Sequence, residues 1–557
     1  MQKTGAQIVA ECLLEQGVDT VFGYPGGQII DVYDALYEYS DQITHILTAH
    51  EQGASHAADG YARSTGKTGV VIATSGPGAT NLVTGLATAH MDSVPIVAIT
   101  GNVSLPLLGK DSFQEVDIYG VTGPITKYNF IVKDVKDLAK TIRQAFYIAK
   151  SGRPGPVLVD VLKNVQMSSC EFEREEPREV VPDVLNITRE DLSKAAELIS
   201  YSKKPMIFAG GGVISANASQ ALKIFADKIG APVALSMMGL GACPADDPHF
   251  TGMLGMHGTK VSSLAVSHCD LFIVAGARLS DRVIGKSNEF AAHAKILHLD
   301  VDPAEINKNI RTDASVIGDL DATLTKLSEI IEKQDHAQWL KQIEEWKEEF
   351  PPVKEWKGDI TPYHLISKVA ERLPKDSLIV TDVGQHQIWT AQHYPIHQPR
   401  TFISSGGLGT MGFGMGAAIG SKIANPDKKV VLFTGDGSFH MNCNELSTAA
   451  SYGVDITVII LNNGVLGMVR QWQKLMYDKH YSQTTLNRKT DYVKLTEAFG
   501  GTGFRVTSKE DLESILDQAL GVKGPVVVEV PIDKDVNVLP MVPPGKAYNQ
   551  QVMSIDL

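Results

Sequence analysis

Residues 430–463 read VVLFTGDGSFHMNCNELSTAASYGVDITVIILNN, and this stretch decides the fold. The apolar run Val430–Phe433 predicts a strand, the turn motif GDGS follows at 435–438, and Asn442–Tyr452 has the composition of a helix. A second apolar run, Ile456–Leu461, predicts the next strand. Neither run alternates with polar residues, which is typical of parallel strands covered on both faces. We therefore predict one β–α–β unit here.

Two polar residues stand where these strands end. Asp436 follows the first strand and Asn463 follows the second. Because the carboxyl ends of parallel strands share one edge of a sheet, the two side chains are expected to lie together. A carboxylate and an amide oxygen suit a hard cation such as Mg²⁺, and Gly437 lets a phosphate approach the N-terminus of the following helix. Asp-Gly and Asn-Gly are each common turn formers, but their joint placement predicts a site for Mg²⁺ and a diphosphate.

The same succession of strand, Gly-rich turn and helix recurs in three segments of the chain. We therefore expect an α/β fold of three doubly wound domains with parallel sheets. A helix is predicted over Ala79–His90, after the turn at 75–78. Two charged, Pro-bearing stretches, 170–183 and 332–362, are expected to be exposed linkers, the second partly helical. The other predicted strands are Val70–Ala73, Val94–Thr100, Pro205–Ala209, Leu271–Ala275, Ile296–Asp300 and Ser377–Thr381.

Composition excludes several classes of function. The 557 residues carry a net charge of −13 without a Lys- and Arg-rich run, so nucleic-acid binding is not expected. The five cysteines stand apart and indicate neither a zinc cluster nor a disulfide framework. The N-terminus lacks the apolar core of a signal peptide, and the uncharged stretch 401–421 holds seven glycines, which favour a loop and a buried helix over a membrane span. We expect a soluble cytoplasmic protein.

Several motifs are ambiguous on their residues alone. Residues 407–412 match the dinucleotide-binding pattern G-x-G-x-x-G, but the next acidic residue, Asp427, follows at the wrong spacing. Glu51 fits a solvated acid in the first turn of a helix, stabilised by the helix dipole. Trp472 alone fits a buried core residue, and Arg282 alone fits a surface ion pair with its neighbour. Each of these residues also fits a functional role, and the residue type alone does not decide between the structural and the functional interpretation.

The motif GDG at 435–437 with Asn462-Asn463 downstream resembles the diphosphate motif of thiamin diphosphate enzymes. A finer resemblance, which runs essentially end to end, is to the catalytic subunit of the acetohydroxyacid (acetolactate) synthases. Its motifs are GYPGG at 23–27, ATSGPGATN at 73–81, FQE at 113–115, ITKYN at 125–129, GRPGPVLVD at 152–160, GMHGT at 255–259, GGLGTMGFG at 406–414, LGMVRQWQ at 466–473 and LPMVPPGK at 539–546. Leu162, Leu279 and Ser280 depart from the family pattern.

The resemblance implies three cofactors: thiamin diphosphate, Mg²⁺ and FAD. It implies an N-terminal pyrimidine-binding domain over 1–168, a central FAD-binding-like domain over 186–335, and a diphosphate-binding domain with a C-terminal tail over 360–557. The implied reaction decarboxylates pyruvate and joins its two-carbon unit to pyruvate or 2-oxobutyrate, giving 2-acetolactate or 2-aceto-2-hydroxybutyrate for branched-chain amino acid biosynthesis. It also implies active sites at the subunit interface of a homodimer or homotetramer, and in many members a separate regulatory subunit.

The resemblance also assigns site residues. The implied catalytic residues are Glu51, which would hydrogen-bond the pyrimidine ring, Arg282, which would bind the acceptor carboxylate, Trp472, which would limit the acceptor pocket, and Gln114. The implied substrate pocket is lined by Phe113, Gln114, Arg282, Met468, Val469 and Trp472. The implied metal ligands are Asp436, Asn463 and the backbone carbonyl of Val465. The implied thiamin diphosphate contacts are Pro25, Gly26, Glu51, Val383, Gly384, Gln385, His386, Gly409, Met411, Gly435, Asp436, Gly437, Ser438, Asn463, Val465, Leu466, Gly467 and Met468. The implied FAD contacts are Arg153, Gly210, Gly211, Gly212, Gly255, Met256, His257, Gly258, Arg278, Asp300 and Asp319.

Three alternatives remain open at this point. A thiamin–flavin oxidase would pass electrons to FAD, a fermentative acetolactate synthase would work without flavin, and a non-catalytic relative would serve as a scaffold subunit. The scaffold is ranked last because both Glu51 and Asp436 are present.

Overall fold

Three six-stranded sheets, each parallel throughout, form the framework of the protein. The computed structural model describes residues 1–184, 186–351 and 360–554. The predicted α/β fold with three parallel-sheet domains is confirmed. Each sheet lies within one of the three predicted domains, whose boundaries stay a prediction.

The N-terminal sheet has the strand order β3-β2-β4-β5-β7-β6, and β1 and β8 form a separate antiparallel pair. Its strands are β1 (Gln2–Thr4), β2 (Thr20–Tyr24), β3 (Thr44–Leu47), β4 (Gly69–Ala73), β5 (Ile96–Asn102), β6 (Tyr128–Val132), β7 (Val157–Leu162) and β8 (Ser169–Glu171). Its helices are α1 (Gly5–Glu15), α2 (Ile30–Glu38), α3 (Glu51–Thr65), α4 (Pro77–Thr80), α5 (Val83–Asp92), α6 (Ile118–Thr122), α7 (Leu138–Lys150) and α8 (Lys163–Met167).

The middle sheet has the strand order β11-β10-β9-β12-β13-β14. Its strands are β9 (Pro205–Ala209), β10 (Val233–Leu235), β11 (Phe250–Met253), β12 (Leu271–Ala275), β13 (Lys295–Asp300) and β14 (Ala314–Ile317). Its helices are α9 (Arg189–Tyr201), α10 (Gly211–Ser215), α11 (Ser219–Ile229), α12 (Lys260–His268), α13 (Asp281–Ile284), α14 (Leu320–Ile330) and α15 (Ala337–Glu349).

The C-terminal sheet has the strand order β16-β15-β17-β18-β20-β19. Its strands are β15 (Leu378–Thr381), β16 (Phe402–Ile403), β17 (Val430–Gly435), β18 (Thr457–Asn462), β19 (Thr502–Arg505) and β20 (Val526–Pro531). Its helices are α16 (Pro362–Ala370), α17 (Gln385–His393), α18 (Phe413–Ala424), α19 (Asp436–Asn442), α20 (Glu445–Ser451), α21 (Gly467–Met476), α22 (Tyr492–Ala498) and α23 (Leu512–Gly521).

Several predicted element boundaries are wrong. The strand predicted from Val94 begins at Ile96, because Pro95 has no N–H to donate to a neighbouring strand. The helix predicted over 79–90 is divided into α4 and α5. The helix predicted over 442–452 is α20, which covers only Glu445–Ser451. A separate helix that was not predicted, α19, begins at Asp436 of the GDG motif, where the helix dipole favours the carboxylate.

The two predicted linkers differ in structure. Residues 170–183 begin with the end of β8 and then have no regular structure. In 332–362, α15 packs its Trp339 indole against the middle domain, where Nε1 donates to the Pro205 carbonyl oxygen at 2.9 Å. Residues 352–359 lie outside the described part of the chain. The uncharged stretch 401–421 forms a loop and the buried helix α18, and none of the described helices is long and apolar enough to span a bilayer.

Helices α3 and α18 hold the N-terminal and C-terminal domains together through closely packed backbones. A Cβ atom on Gly420 would lie 1.9 Å from the Ala57 carbonyl oxygen, and one on Gly60 would lie 2.2 Å from the Ala417 carbonyl oxygen. Such distances leave no room for a methyl group, so the glycines set how closely the helices approach. This approach fixes α3, which begins with Glu51, relative to the C-terminal sheet.

We expect Gly420→Ala to destabilise the protein by about 3 kcal/mol or more, because overpacking a rigid contact forces backbone shifts. The thermal unfolding midpoint should fall by several degrees. Gly521→Ala is the matched control, because a Cβ there would meet nothing within 4 Å. Equal midpoints for the two variants would contradict the close-packing argument.

Candidate active site

Asp436 and Asn463 lie together at the carboxyl edge of the C-terminal sheet, as their positions predict. Gly435 at the end of β17 pairs in register with Leu461 of β18. The Asp436 carboxylate is buried, and the backbone N–H groups of Asp436 itself, Asn463 and Gly437 lie near it and oppose the effect of burial on its pKa. Burial raises the pKa of Asp436 to about 6. A cation placed at this carboxylate would favour its ionised form.

The Asn463 side chain belongs to the same cluster. Its Oδ1 accepts from the backbone N–H of Val465 at 3.1 Å, and its Nδ2 donates to Oε1 of Gln385 at 3.3 Å. A Cβ on Gly467 would lie 1.9 Å from that Gln385 oxygen, so a side chain there would displace the Gln385 amide from Asn463. One carboxylate, one amide and a nearby carbonyl are oxygen ligands of the kind that a hard cation prefers, and a cation held by them would need further oxygen ligands from a bound molecule and water. The described residues contain no cluster of three His, Cys, Asp or Glu side chains suited to a metal.

Asp382 connects the three segments that surround this cluster. Its Oδ1 accepts from the backbone N–H of Val383 at 2.9 Å and from that of Gly412 at 2.8 Å. Its Oδ2 faces the Thr434 hydroxyl at 3.4 Å. The carboxylate is buried, which raises the pKa of Asp382 to about 6. Sequence reasoning missed this residue, although its position directly after the buried strand β15 is a signal for a site residue.

His386 is a buried polar group that faces the same region. Its ring packs against Gly384 and Gly435, where a Cβ would lie 2.9 Å from ring atoms. Burial lowers its pKa to about 3, so the ring is neutral. Nε2 has no hydrogen-bond partner among the described residues, and a buried polar atom without a partner favours a ligand at this position. Nearby, the Ser438 hydroxyl donates to the Val383 carbonyl at 2.7 Å.

Glu51 is half-buried rather than freely solvated. It begins α3, whose N-terminus is capped by the His50 side chain. The Asn81 amide donates to Oε2 at 2.9 Å, while Oε1 lies over Gly78, where a Cβ would be 3.2 Å away. The carboxyl is thus held against the turn at 75–78. Pro25 and Gly26 are also predicted to contact the cofactor. Gly26 packs against the side chain of Thr74, the residue directly before that turn.

A cavity of about 950 Å³ lies between the three domains. It brings together nine of the eleven residues predicted to contact FAD and five of those predicted for thiamin diphosphate or substrate. The first group is Arg153, Gly211, Gly212, Gly255, Met256, His257, Arg278, Asp300 and Asp319, and the second is Arg282, Val383, Gly409, Met468 and Trp472. Gly210 and Gly258 instead pack against backbone, with a Cβ placed 2.3 Å from the Gly276 carbonyl and 2.6 Å from the Met253 carbonyl.

Some predicted FAD residues already have protein partners. Arg153 donates to the Ser93 hydroxyl at 2.8 Å and pairs with Asp302 at 3.1 Å. Asp319 caps α14 by accepting from the backbone N–H of Ala322 at 2.9 Å. These contacts give both side chains a structural role that their sequence positions did not reveal.

Arg282 and Trp472 face each other across the cavity wall. The guanidinium carbon lies 5.9 Å from the centroid of the indole ring, a cation–π distance. The neighbouring Asp281 is 3.7 Å away and exposed, so that ion pair is weak. Trp472 lies on α21, which also carries Met468 into the cavity.

Within a single chain, the residues predicted to line the substrate pocket do not all lie at the cavity. Phe113 is 83% exposed and Val469 is 51% exposed, and neither lines the cavity. Gln114 also lies outside the cavity, with its carbonyl 2.8 Å from where a Cβ on Gly76 would lie. One chain therefore joins Arg282, Met468 and Trp472 but does not bring Phe113 and Gln114 to them.

The sequence matches three domain models in chain order. They describe the N-terminal TPP binding domain of thiamine pyrophosphate enzymes over residues 3–121, the central domain over 192–327, and the C-terminal TPP binding domain over 382–530. The acetolactate synthase isozyme 2 large subunit of Escherichia coli (strain K12) is 46% identical over 98% of this chain and 99% of its own. Acetolactate synthase large subunits of Parasynechococcus marenigrum and Haemophilus influenzae are 46% and 42% identical over 99% of this chain, and over 91% and 98% of theirs. The chain belongs to the acetolactate synthase large-subunit family.

Membership of this family of thiamine pyrophosphate enzymes confirms the predicted resemblance and thiamin diphosphate as the predicted cofactor. The residues present fit that group. Side chains cover Gly437, where a Cβ would lie 2.9 Å from the Leu466 side chain, so the small residue leaves space there, and the buried His386 Nε2, which has no partner among the described residues, is available to a diphosphate. Gly409 has a φ of +71° and faces open space beside Val383, so its backbone is free to meet a ligand. Residues 407–409 of the motif that matches the dinucleotide-binding pattern line the cavity.

Proposed function

We propose that this chain decarboxylates pyruvate and joins the two-carbon unit to a second 2-oxo acid, pyruvate or 2-oxobutyrate. The products are carbon dioxide with 2-acetolactate or 2-aceto-2-hydroxybutyrate, precursors of valine, leucine and isoleucine. The observation that carries this proposal is one cavity lined both by Arg282 and by the cofactor segments at Val383, Gly409 and Met468. A carboxylate-binding group and the cofactor segments thus share one space.

Thiamin diphosphate supplies the electron sink for decarboxylation when it is bound. Glu51 would hydrogen-bond the pyrimidine ring and hold the proton that activates the ring's amino group. Asn81 donates to Oε2 and leaves Oε1 for that bond. The half-buried position of Glu51 strengthens the interaction relative to one in water.

Mg²⁺ and the diphosphate would be held at the edge of the C-terminal sheet. Asp436 and Asn463 would bind the cation through side-chain oxygens, and Val465 would bind it through its carbonyl. The backbone at Gly437 and Ser438 begins α19 and would face the phosphates, while Gln385 orients the Asn463 amide. Leu466 and Met411 would pack against the cofactor's rings.

The acceptor 2-oxo acid would bind between Arg282 and Trp472. The guanidinium offers a fork of donors to a carboxylate, and its position over the indole fixes its direction. Trp472 and Met468 would then bound the space available to the acceptor's alkyl group. Such a wall discriminates between substrates that differ by one methylene.

FAD would occupy the part of the cavity formed by the middle domain. Gly211 and Gly212 begin α10 after β9, and they face Met256 and Arg278 in the same space. The departures Leu279 and Leu162 are buried apolar residues that alter packing outside the cavity, whereas the third departure, Ser280, lines the cavity itself. The proposed FAD takes no part in a net redox step.

Assembly is also part of the proposal. The relatives are named large subunits, which supports a separate regulatory small subunit and self-association of this chain. A homodimer or homotetramer would bring Phe113 and Gln114 of a second copy to the predicted substrate pocket. A cytoplasmic location belongs to the proposal as well.

The proposed reaction is tested by mixing the pure protein with thiamin diphosphate, Mg²⁺, FAD, pyruvate and 2-oxobutyrate and identifying products by mass spectrometry. We expect both hydroxyacids. Acetate together with flavin bleaching under anaerobic pyruvate would support the oxidase instead. Full activity of a colourless protein would support the flavin-free synthase, and no product would support the scaffold.

Glu51→Gln should lower kcat by about 10²–10⁴-fold, because an amide cannot replace the carboxyl in proton transfer. The affinity for thiamin diphosphate, measured by calorimetry, should change little. Glu38→Gln, which alters an exposed carboxylate of the same domain, should leave kcat unchanged. An unaffected rate in Glu51→Gln would remove Glu51 from the mechanism.

Trp472→Leu should shift the product ratio toward 2-acetolactate by about tenfold. The smaller Leu side chain would no longer bound the acceptor pocket in the way that favours 2-oxobutyrate over pyruvate. The ratio is measured with both 2-oxo acids at equal concentration. Met476→Leu, on the same helix but more exposed, is the control. If both variants keep the original ratio, Trp472 does not set acceptor selectivity.

A further inference from the structure

The loop from Ser404 to Thr410 is held by side chains of a different domain. It joins β16 to the approach to α18 and includes Gly409, which faces the cavity. Within the C-terminal domain, the Ser405 hydroxyl accepts from the backbone N–H of Thr410 at 3.1 Å. Also within that domain, the Gln387 amide donates to the Ser404 hydroxyl at 2.7 Å and to the Ser405 carbonyl at 3.1 Å, and the Thr381 hydroxyl lies 2.7 Å from that of Ser404. The side-chain contacts to the backbone of Gly406 and Gly407 come from the N-terminal domain.

Asp92, at the end of α5, binds the backbone of the loop directly. Its Oδ1 accepts from the N–H of Gly407 at 2.7 Å, and its Oδ2 accepts from the N–H of Gly406 at 3.1 Å. Oδ2 also pairs with the Arg63 guanidinium at 3.0 Å. The Asp92 side chain is fully buried, so no water competes for these bonds.

Arg63 and Thr88 fix both ends of the same loop. The Arg63 guanidinium donates to the Ser404 carbonyl at 2.9 Å and to Asp59 of its own helix. The Thr88 and Thr410 hydroxyl oxygens are 2.7 Å apart and buried. Together with Asp92, these side chains hold the loop at four successive points from Ser404 to Thr410.

The fit leaves the loop little freedom. A Cβ on Gly407 would lie 2.6 Å from Asp92 Oδ1 and 3.1 Å from an Arg278 nitrogen, so a side chain there would displace the carboxylate. Removing one partner from a buried charged cluster is strongly unfavourable, because the remaining charge is left without a counter-charge or water. The loop conformation therefore depends on the N-terminal domain.

We propose that Asp92 is a positioning residue that sets the 404–410 loop in its cofactor-ready shape before the cofactor binds. Through Gly406 and Gly407 it determines where the Gly409 carbonyl points and where Met411 enters the site. The proposal rests on the proposed function, in which these two residues meet the cofactor's aminopyrimidine. Because Arg63 lies on the helix that begins with Glu51, the same cluster also fixes that helix relative to the loop.

The first test follows amide hydrogen exchange of the full-length protein without cofactor, read in a peptide that covers the 404–412 loop. In Asp92→Asn we expect exchange in this peptide to rise by about tenfold or more, because the Gly406 and Gly407 amides lose charged acceptors. Exchange of the α18 peptide should stay unchanged. Ser421→Ala is the matched control: it removes another buried contact between the same domains, Ser421 hydroxyl to Gly60 carbonyl at 3.2 Å, outside the loop.

The second test measures the dissociation constant of thiamin diphosphate by calorimetry in the presence of Mg²⁺. We expect a rise of about tenfold in Asp92→Asn and a smaller rise in Thr88→Val, which removes only the Thr410 contact, with no change in Ser421→Ala. If Asp92→Asn fails to fold, Gly407→Ala carries both tests, because its Cβ would lie 2.6 Å from Asp92 Oδ1 and displace that carboxylate from the loop. Unchanged loop exchange, or faster exchange with unchanged cofactor affinity, would overturn the proposal. Absence of cofactor binding by the unmodified protein would instead overturn the proposed function, while the exchange result would still report on the loop.

Discussion

The buried Asp382 carboxylate is the interaction on which the candidate site depends. It binds the backbone of Val383 and Gly412 and faces Thr434, and so joins the segment before α17, the segment before α18 and the strand that leads to Asp436. The segments before α17 and α18 are irregular and contain glycine, so neither would hold one conformation by itself, whereas the strand is fixed by its sheet. A charged acceptor that cannot reach water gives them a common reference point.

A second constraint is the docking of the N-terminal domain on the C-terminal domain. Glu445 of α20 is buried and accepts from the backbone N–H groups of Ala49 and His50, each at 3.1 Å. These N–H groups lie directly before Glu51. The Glu445 side chain of the C-terminal domain therefore fixes the start of α3, the helix of the N-terminal domain that begins with Glu51. Close packing at Gly420 fixes the direction of that helix. The position of Glu51 is thus set by the C-terminal domain as well as by its own sheet.

Local sequence was sufficient for eight buried strands, which correspond to β4, β5, β9, β12, β13, β15, β17 and β18, and for the pairing of Asp436 with Asn463. Buried parallel strands are apolar along their whole length, and both residues stand at strand ends, so the topology rule alone brings them together. Asp382 and Asp92 were missed because their importance lies in contacts with backbone that is distant in the sequence. The exposure of Phe113 was also missed, because a sequence motif shows which residues are neighbours along the chain but not which side chains are exposed.

The C-terminal tail explains why the cavity can hold Arg282 and Trp472 in one arrangement. Gln471, next to Trp472 on α21, donates to the Val538 carbonyl at 3.1 Å. Further along, Val542 donates to the Met256 carbonyl at 2.7 Å, and Gln551 donates to the Gly258 carbonyl at 2.9 Å. The tail therefore binds both the helix that carries the indole and the middle-domain loop beside Arg282. The cavity walls that carry Arg282 and Trp472 come from separate domains, and the tail fixes the distance between them. The proposed acceptor pocket, which would distinguish substrates by one methylene, requires such a fixed distance.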